Sequence, residues 1–407
     1  MLFLVLTLLV AACVLAAGVG LYVICYHLLT ADIPAAISYP WKLRVFHCLF
    51  LLLLTWGKIF EILRICSMSR FVCFAHDLLP VRTDPDVVVT DLRFGMIPVK
   101  LYKPKASFWA TRTGIVFYHG GGGVLGSLKT HHGICCRLCK ESDSVVLSVG
   151  YRMQPEHKFP VLITDCLVAT IHFLKSLNAY GVDPVRVVVC GDSMGGGIAA
   201  LACQQLRSKQ DLPTIRAQIL VQALLQALDF QLPSYQQNRN VPMLTQHFAF
   251  YCWCHFLAIS ISWESIVLKG AHLPMEVWEK YRKWLGPENI PERFKQRGYC
   301  QMPHAPVNEK AYLESSLAMS VMISPLLAED DVIAQVPEAC TVTCEYDLLR
   351  DDSLLYKKRL EDLGVPVTWH HMEDVFHGVL NSIDMGCLYF PCSMRILNVM
   401  VNFIKGL

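Results

Sequence analysis

The stretch Gly191-Asp192-Ser193-Met194-Gly195 puts a serine between two glycines. The β-branched run Val187-Val188-Val189 precedes it, and small residues with a helical pattern follow from Ile198 to Leu206. Strand, sharp turn and helix in that order form a nucleophile elbow. Such a turn strains the serine backbone, and glycines at 191 and 195 remove side chains that would clash within it. The hydroxyl then stands above the sheet at a helix N-terminus, where negative charge is favoured. The competing reading is an ordinary strand-to-helix turn.

A serine hydroxyl is a poor nucleophile at neutral pH, so it needs a base, and the base needs a partner that sets its tautomer. Both should follow Ser193 in the order acid, then histidine. Asp347 fits the acid, just past the apolar run Cys340–Cys344. Glu345 is its rival, whereas Asp351 and Asp352 read as capping residues of the next helix. His377 fits the base, in the loop after the last strand; His370 and His371 sit within that strand and read as structural. The oxyanion of an acyl-transfer intermediate needs backbone donors. Tyr118-His119-Gly120-Gly121-Gly122-Gly123 supplies flexible main chain after a buried strand. Gly120 and Gly121 are the expected donors, with Gly122 as an alternative and the Met194 N–H completing the hole. His119 reads as an organiser of that loop. The glycines lack the spacing and acidic partner of a dinucleotide fingerprint.

These groups must be carried by a sheet. Apolar runs at 87–89, 98–102, 114–118, 144–149, 185–189, 218–221, 339–344 and 365–371 read as strands. Helical patterns near 128–142, 161–178, 194–208, 353–363 and 387–404 alternate with them. This is an α/β chain with a mostly parallel sheet flanked by helices. The core is expected over 85–224 and 321–407. Between them, 225–320 is rich in aromatics and prolines, including Tyr251, Trp253, Phe256 and Trp284, and reads as a helical cap.

The composition is 54% hydrophobic and 17% charged over 407 residues, against about 25% charged for a typical soluble domain. Part of the chain therefore belongs against a membrane or an apolar ligand. The net charge of +2 gives no support to nucleic-acid binding. Leu2 to Leu29 is long and apolar enough to span a bilayer, and 1–30 is expected to be a signal anchor. Alanines 11, 12, 16 and 17 leave a cleaved signal peptide as the alternative. Lys42 and Arg44 beyond the span favour, weakly, a cytoplasmic C-terminal part. Val45 to Leu63 reads as an amphipathic helix, lying on the membrane or closing over a pocket, within a 31–84 portion of the cap. Most of the 18 cysteines sit in apolar runs and read as small buried hydrophobes. Their spacing matches no zinc site.

Tyr118-His119-Gly120-Gly121-Gly122, Tyr151-Arg152-Met153-Gln154-Pro155-Glu156, Asp183-Pro184, Gly191-Asp192-Ser193-Met194-Gly195-Gly196 and Ser324-Pro325-Leu326 occur in this order. Together they resemble the hormone-sensitive-lipase branch of the α/β-hydrolases. The apolar N-terminus and Phe376-His377-Gly378 narrow the resemblance to the arylacetamide deacetylase-like family. It covers essentially the whole chain. It implies an α/β-hydrolase fold with a helical cap and an N-terminal transmembrane helix. It further implies hydrolysis of lipophilic carboxylic esters or arylamides by Ser193, His377 and Asp347, without metal or organic cofactor. The implied location is the endoplasmic reticulum, as a single-pass type II protein with a lumenal catalytic domain, against the charge count above. Glycosylation adds nothing, because the chain has no N-x-Ser/Thr sequon. Two departures stand out. Met194 replaces the usual alanine and is expected to narrow the acyl side. Gly150 and Gln154 replace an acid and an alanine, which is expected to loosen support beneath the elbow. The rival class is a non-catalytic protein that holds an apolar ligand on the same fold.

Overall fold

The computed structural model describes residues 2–29, 31, 33–105 and 111–407. The expected anchor's end residues, Met1 and Thr30, lie outside these. Eight strands form one sheet: β1 Val87–Phe94, β2 Ile97–Pro104, β3 Arg112–Tyr118, β4 Val145–Val149, β5 Val182–Asp192, β6 Ile215–Val221, β7 Glu338–Tyr346 and β8 Val367–Phe376. Their spatial order is β1-β2-β4-β3-β5-β6-β7-β8. The β1–β2 and β2–β4 pairs are antiparallel, and every other pair is parallel.

The ten longer helices are α1 Leu2–Val23, α2 Pro40–Ile62, α3 Met68–Asp77, α4 His132–Glu141, α5 Val161–Lys175, α6 Met194–Leu206, α7 Gln246–Leu257, α8 Met275–Leu285, α9 Arg350–Asp362 and α10 Cys392–Gly406. Successive strand residues point to opposite faces. Val187 and Val189 therefore join the core that α5, α6 and α9 cover. Val188 and Cys190 join the one covered by α4 and α10. Burial on both faces is why the central strands read as unbroken apolar runs rather than as alternating ones. All 18 cysteines are free, and twelve are buried.

The N-terminal helix α1 carries no charged residue and continues into a π-helical turn at Ile24–Leu28. The second apolar run begins earlier than its hydropathy alone indicates, because Pro40 starts α2 at a position where the missing N–H costs nothing. By length and composition α2 is suited to cross a bilayer. It packs on the segment between β6 and β7: the Met243 N–H donates to His47 Nδ1 at 3.2 Å, and Lys58 Nζ lies 4.3 Å above the Tyr251 ring. The segment between β6 and β7 holds α7, α8 and several short helical turns.

Asp351 and Asp352 are not caps, because neither side chain bonds an N–H of α9's first turn. Both are fully buried and reach across to the chain leaving β6. Asp351 accepts from the Ser234 N–H at 2.6 Å. Asp352 accepts from the N–H groups of Leu225 and Gln226 and from Gln226 Nε2. Burial pushes Asp352 up to about 8, against the pull of these donors. Its folded pKa lies above its unfolded one, so its contribution to stability is lost as pH rises from about 4 to about 8. An Asp352→Asn variant lacks that loss. Its stability relative to the parent is expected to rise by about 1 kcal/mol per pH unit between pH 5 and 8. Urea titrations at several pH values check this, and a difference independent of pH contradicts it.

Candidate active site

Ser193 closes β5 and opens α6 with φ 54° and ψ −122°, a backbone conformation that costs energy for any residue bearing a Cβ. Its N–H donates to Val221 O at 2.8 Å, which ties the turn to β6. The glycine requirement is steric. A Cβ on Gly195 would lie 2.0 Å from Tyr118 O, and one on Gly191 2.3 Å from the Gly195 carbonyl carbon. Only glycine allows the elbow to press against the end of β3.

The structure brings Ser193, His377 and Asp347 into one chain of hydrogen bonds. His377 Nδ1 lies 2.8 Å from Asp347 Oδ1, and Nε2 lies 3.0 Å from Ser193 Oγ. A carboxylate beside Nδ1 keeps the proton there, so Nε2 accepts from the serine hydroxyl. Asp347 is fully buried and its Oδ1 also accepts from the Leu349 N–H at 2.9 Å. Asn238 Nδ2 donates to the backbone oxygens of Asp347 and Glu345 at 2.8 and 3.0 Å, fixing the turn that presents the acid. The competing acid, Glu345, faces Arg297, Arg350 and His371 instead. Burial raises its pKa, but His371 and the two guanidinium groups outweigh this and leave it lowered. His371 bridges Thr343 and Glu345, in line with a structural role.

Gln222 is a residue that motif reading did not pick out. Its Nε2 donates to Phe376 O and its Oε1 accepts from the Gly378 N–H, both at 3.0 Å. It therefore grips the backbone on both sides of His377, from a position next to the residue that anchors Ser193. A polar residue ending the apolar strand Ile219-Leu220-Val221 was the available signal. Gln222→Leu removes both bonds and is expected to lower kcat by about 10²-fold, since small misplacements of a base are costly. Steady-state kinetics check this, and a loss below twofold contradicts it.

The glycine loop needs one correction. The Gly120 N–H already donates to Asp192 Oδ1 at 3.0 Å, so it is not free to bind an oxyanion. Among the described residues, no protein acceptor takes the N–H of Gly121, Gly122 or Met194. These three border the same cavity as Ser193. Gly121 has a φ of 115°, which suits glycine alone, and Gly122 a φ of 63°, which favours glycine. Asp192 is buried and contacts His131 Nε2 at 3.2 Å. Burial raises its pKa, but His131 and the Gly120 N–H outweigh that and leave it lowered. An ionised Asp192 thus pins the start of the glycine loop. His119 stacks on Tyr151 at 4.1 Å, and its Nδ1–H donates to Gly120 O. Burial brings His119 down to about 4, so it stays neutral.

A cavity of about 270 Å³ opens above these groups. Phe46, Phe50 and Leu53 of α2 and Phe248, Trp253 and Phe256 of the cap line it, with Ser193 and His377 at its base. Met194 is part of the wall and does not close the cavity over Ser193. Gln154 does not loosen its surroundings. Its N–H donates to Gly123 O at 3.0 Å, and its Nε2 donates to Phe256 O at 3.1 Å. It thereby clamps the glycine loop to α7.

Sheet order, elbow and hydrogen-bonded serine, histidine and aspartate define the α/β-hydrolase class. A family model described as the alpha/beta hydrolase fold matches residues 115–269 and 282–381. Arylacetamide deacetylase-like 3 of Homo sapiens is 70% identical over 399 residues, covering 98% of each chain. Arylacetamide deacetylase of Bos taurus is 32% identical over 380 residues, covering 91% of this chain and 94% of that one. The solved structure of the hyperthermophilic esterase from Pyrobaculum calidifontis shares the fold. It gives a TM-score of 0.59 at 22% identity, over 91% of this chain and 98% of that one. The chain belongs to the arylacetamide deacetylase-like family of α/β-hydrolases.

Proposed function

We propose that this protein is a membrane-anchored serine hydrolase that cleaves carboxylic esters, and arylamides in the manner its relatives' names describe, through an acyl-enzyme. One observation carries the reading: the unbroken hydrogen-bond chain from Ser193 Oγ through His377 to the buried Asp347, at the base of an apolar cavity. His377 Nε2 takes the hydroxyl proton as Ser193 Oγ attacks the carbonyl carbon. The N–H groups of Gly121, Gly122 and Met194 receive the oxyanion. His377 returns the proton to the departing alcohol or amine, leaving the acyl group on Ser193. Water, deprotonated by the same nitrogen, then releases the acid. Asp347 holds the imidazole in the required tautomer and stabilises its charged form.

In this reading α1 spans the bilayer of the endoplasmic reticulum and the catalytic domain is lumenal. Segments 31–84 and 225–320 form a cap over a core of 85–224 and 321–407. The apolar lining suits lipophilic acyl or aryl groups. The test is labelling of the purified full chain with a fluorophosphonate probe, with the modified residue mapped by peptide mass spectrometry and turnover of a short p-nitrophenyl ester measured alongside. The expected adduct is on Ser193. Folded protein with neither adduct nor turnover would instead be a ligand-binding member of the fold.

A further inference from the structure

The helical hairpin of α2 and α3 covers the cavity with one face and leaves another face bare. Phe46, Phe50 and Leu53 from α2, with Val72 and Cys73 from α3, border the cavity. The inward face is held fast: Phe50 meets the Phe248 ring edge-on at 5.4 Å, and the His47 and Lys58 contacts lie along the same helix. The other face carries Ile62, Leu63 and Ile65 at the turn and Phe74, Leu78 and Leu79 towards the end of α3, all exposed. Ile62 is 77% exposed and Leu78 is 68% exposed. Phe74 and Leu78 are four residues apart and share one side of the chain as it leaves the helix. So many large bare apolar side chains within one short hairpin mark an interaction surface.

Two observations identify its partner. Residues 62–82, which hold the bare side chains, carry the exposed Arg64, Arg70 and Arg82 against Asp77 as the one carboxylate, a net charge of +2. The uncharged α1 also leads directly into this hairpin. Arg44 Nη1 donates to Leu28 O at 3.3 Å, and the rings of His27 and His47 lie 6.5 Å apart. Bare apolar side chains interspersed with cations, continuous with an uncharged helix, match an anionic lipid leaflet.

We propose that the α2–α3 hairpin docks its bare face into an anionic lipid surface as a second membrane contact beside α1, and so turns the cavity mouth towards esters dissolved in the bilayer. Docking itself stands apart from the hydrolase reading; only the substrate clause rests on it.

The full chain is reconstituted in vesicles of phosphatidylcholine and phosphatidylserine containing a photoactivatable acyl-chain lipid, and adducts are mapped by mass spectrometry. Adducts are expected on both α1 and 62–79, and none on Met96 or Val185, which are equally exposed elsewhere. Adducts on α1 with none on 62–79 overturn the proposal and leave the anchor intact. Adducts on 62–79 alone support docking and remove the anchor. Cross-links from 62–79 to a second copy of the chain, in place of lipid, also overturn it. The variant Phe74→Glu/Leu78→Glu changes exposed positions outside the cavity. It is expected to lower turnover of a long-chain p-nitrophenyl ester held in these vesicles by about tenfold or more, with turnover of water-soluble p-nitrophenyl acetate unchanged. Equal effects on both esters, or none on either, overturn the proposal. If the parent hydrolyses neither ester, the hydrolase reading fails, and the lipid adducts still decide docking.

Discussion

Ser193→Ala is expected to lower kcat for a p-nitrophenyl ester by about 10⁶-fold, leaving at most the ~10³-fold advantage over water that oxyanion donors and binding supply on their own. The variant removes one atom, Oγ, whose described partner is His377 Nε2. Backbone strain at φ 54° is the same for alanine as for serine, and the Ser193 N–H to Val221 O bond survives. Stability should therefore change by less than about 1 kcal/mol, so lost activity cannot be assigned to unfolding. Residual turnover near the parent level would mean that another group attacks the carbonyl. Two thiols, Cys73 and Cys252, border the cavity, and burial raises them to about 11 and about 12, which makes both poor substitutes. The same variant should lose the fluorophosphonate adduct.

Asp347→Asn is expected to lower kcat by about 10⁴-fold with little change in KM. The carboxylate makes His377 Nδ1 the protonated nitrogen and stabilises the imidazolium that forms as Ser193 attacks. An asparagine NH₂ turned to Nδ1 reverses the tautomer, so Nε2 then carries a proton and cannot take another. Asp347 does not border the cavity, which is why binding should be spared. Stopped-flow acylation and steady-state KM separate the two effects. A loss below tenfold in kcat would remove Asp347 from its assigned role, and Glu345 would not replace it, since Arg297, Arg350 and His371 already engage that carboxylate.

Much of the fold was legible because it rests on local patterns. A buried parallel strand must be apolar throughout, and a turn as tight as that at Ser193 must be flanked by glycine. Both constraints are written in adjacent residues, so the strands, the helices between them and Gly191-Asp192-Ser193-Met194-Gly195 could be read in order. The N-terminal helix was legible for the same reason, as a run without charge. Local pattern went wrong where a polar residue's partner is far away in the chain. Asp351 and Asp352 look like caps by position, yet their partners lie more than 100 residues earlier, at Ser234, Leu225 and Gln226. Gln154 looks like a weakening substitution, yet it reaches Phe256.

The sequence by itself determined the order of the sheet elements, the strained serine between its glycines, and the presence of an acid, a histidine and a glycine loop downstream or upstream of it. Those follow from sterics and burial over a few residues. Only the tertiary structure decided which acid meets the histidine, that Gly120 is taken by Asp192 while Gly121, Gly122 and Met194 stay free, and that Gln222 straps the backbone around His377. It also decided that Phe46, Phe50 and Leu53 of α2 line the cavity. These depend on hydrogen bonds or ring contacts between residues that range from 30 to about 200 positions apart. Such contacts become specific only once the sheet has brought the strand ends to one edge.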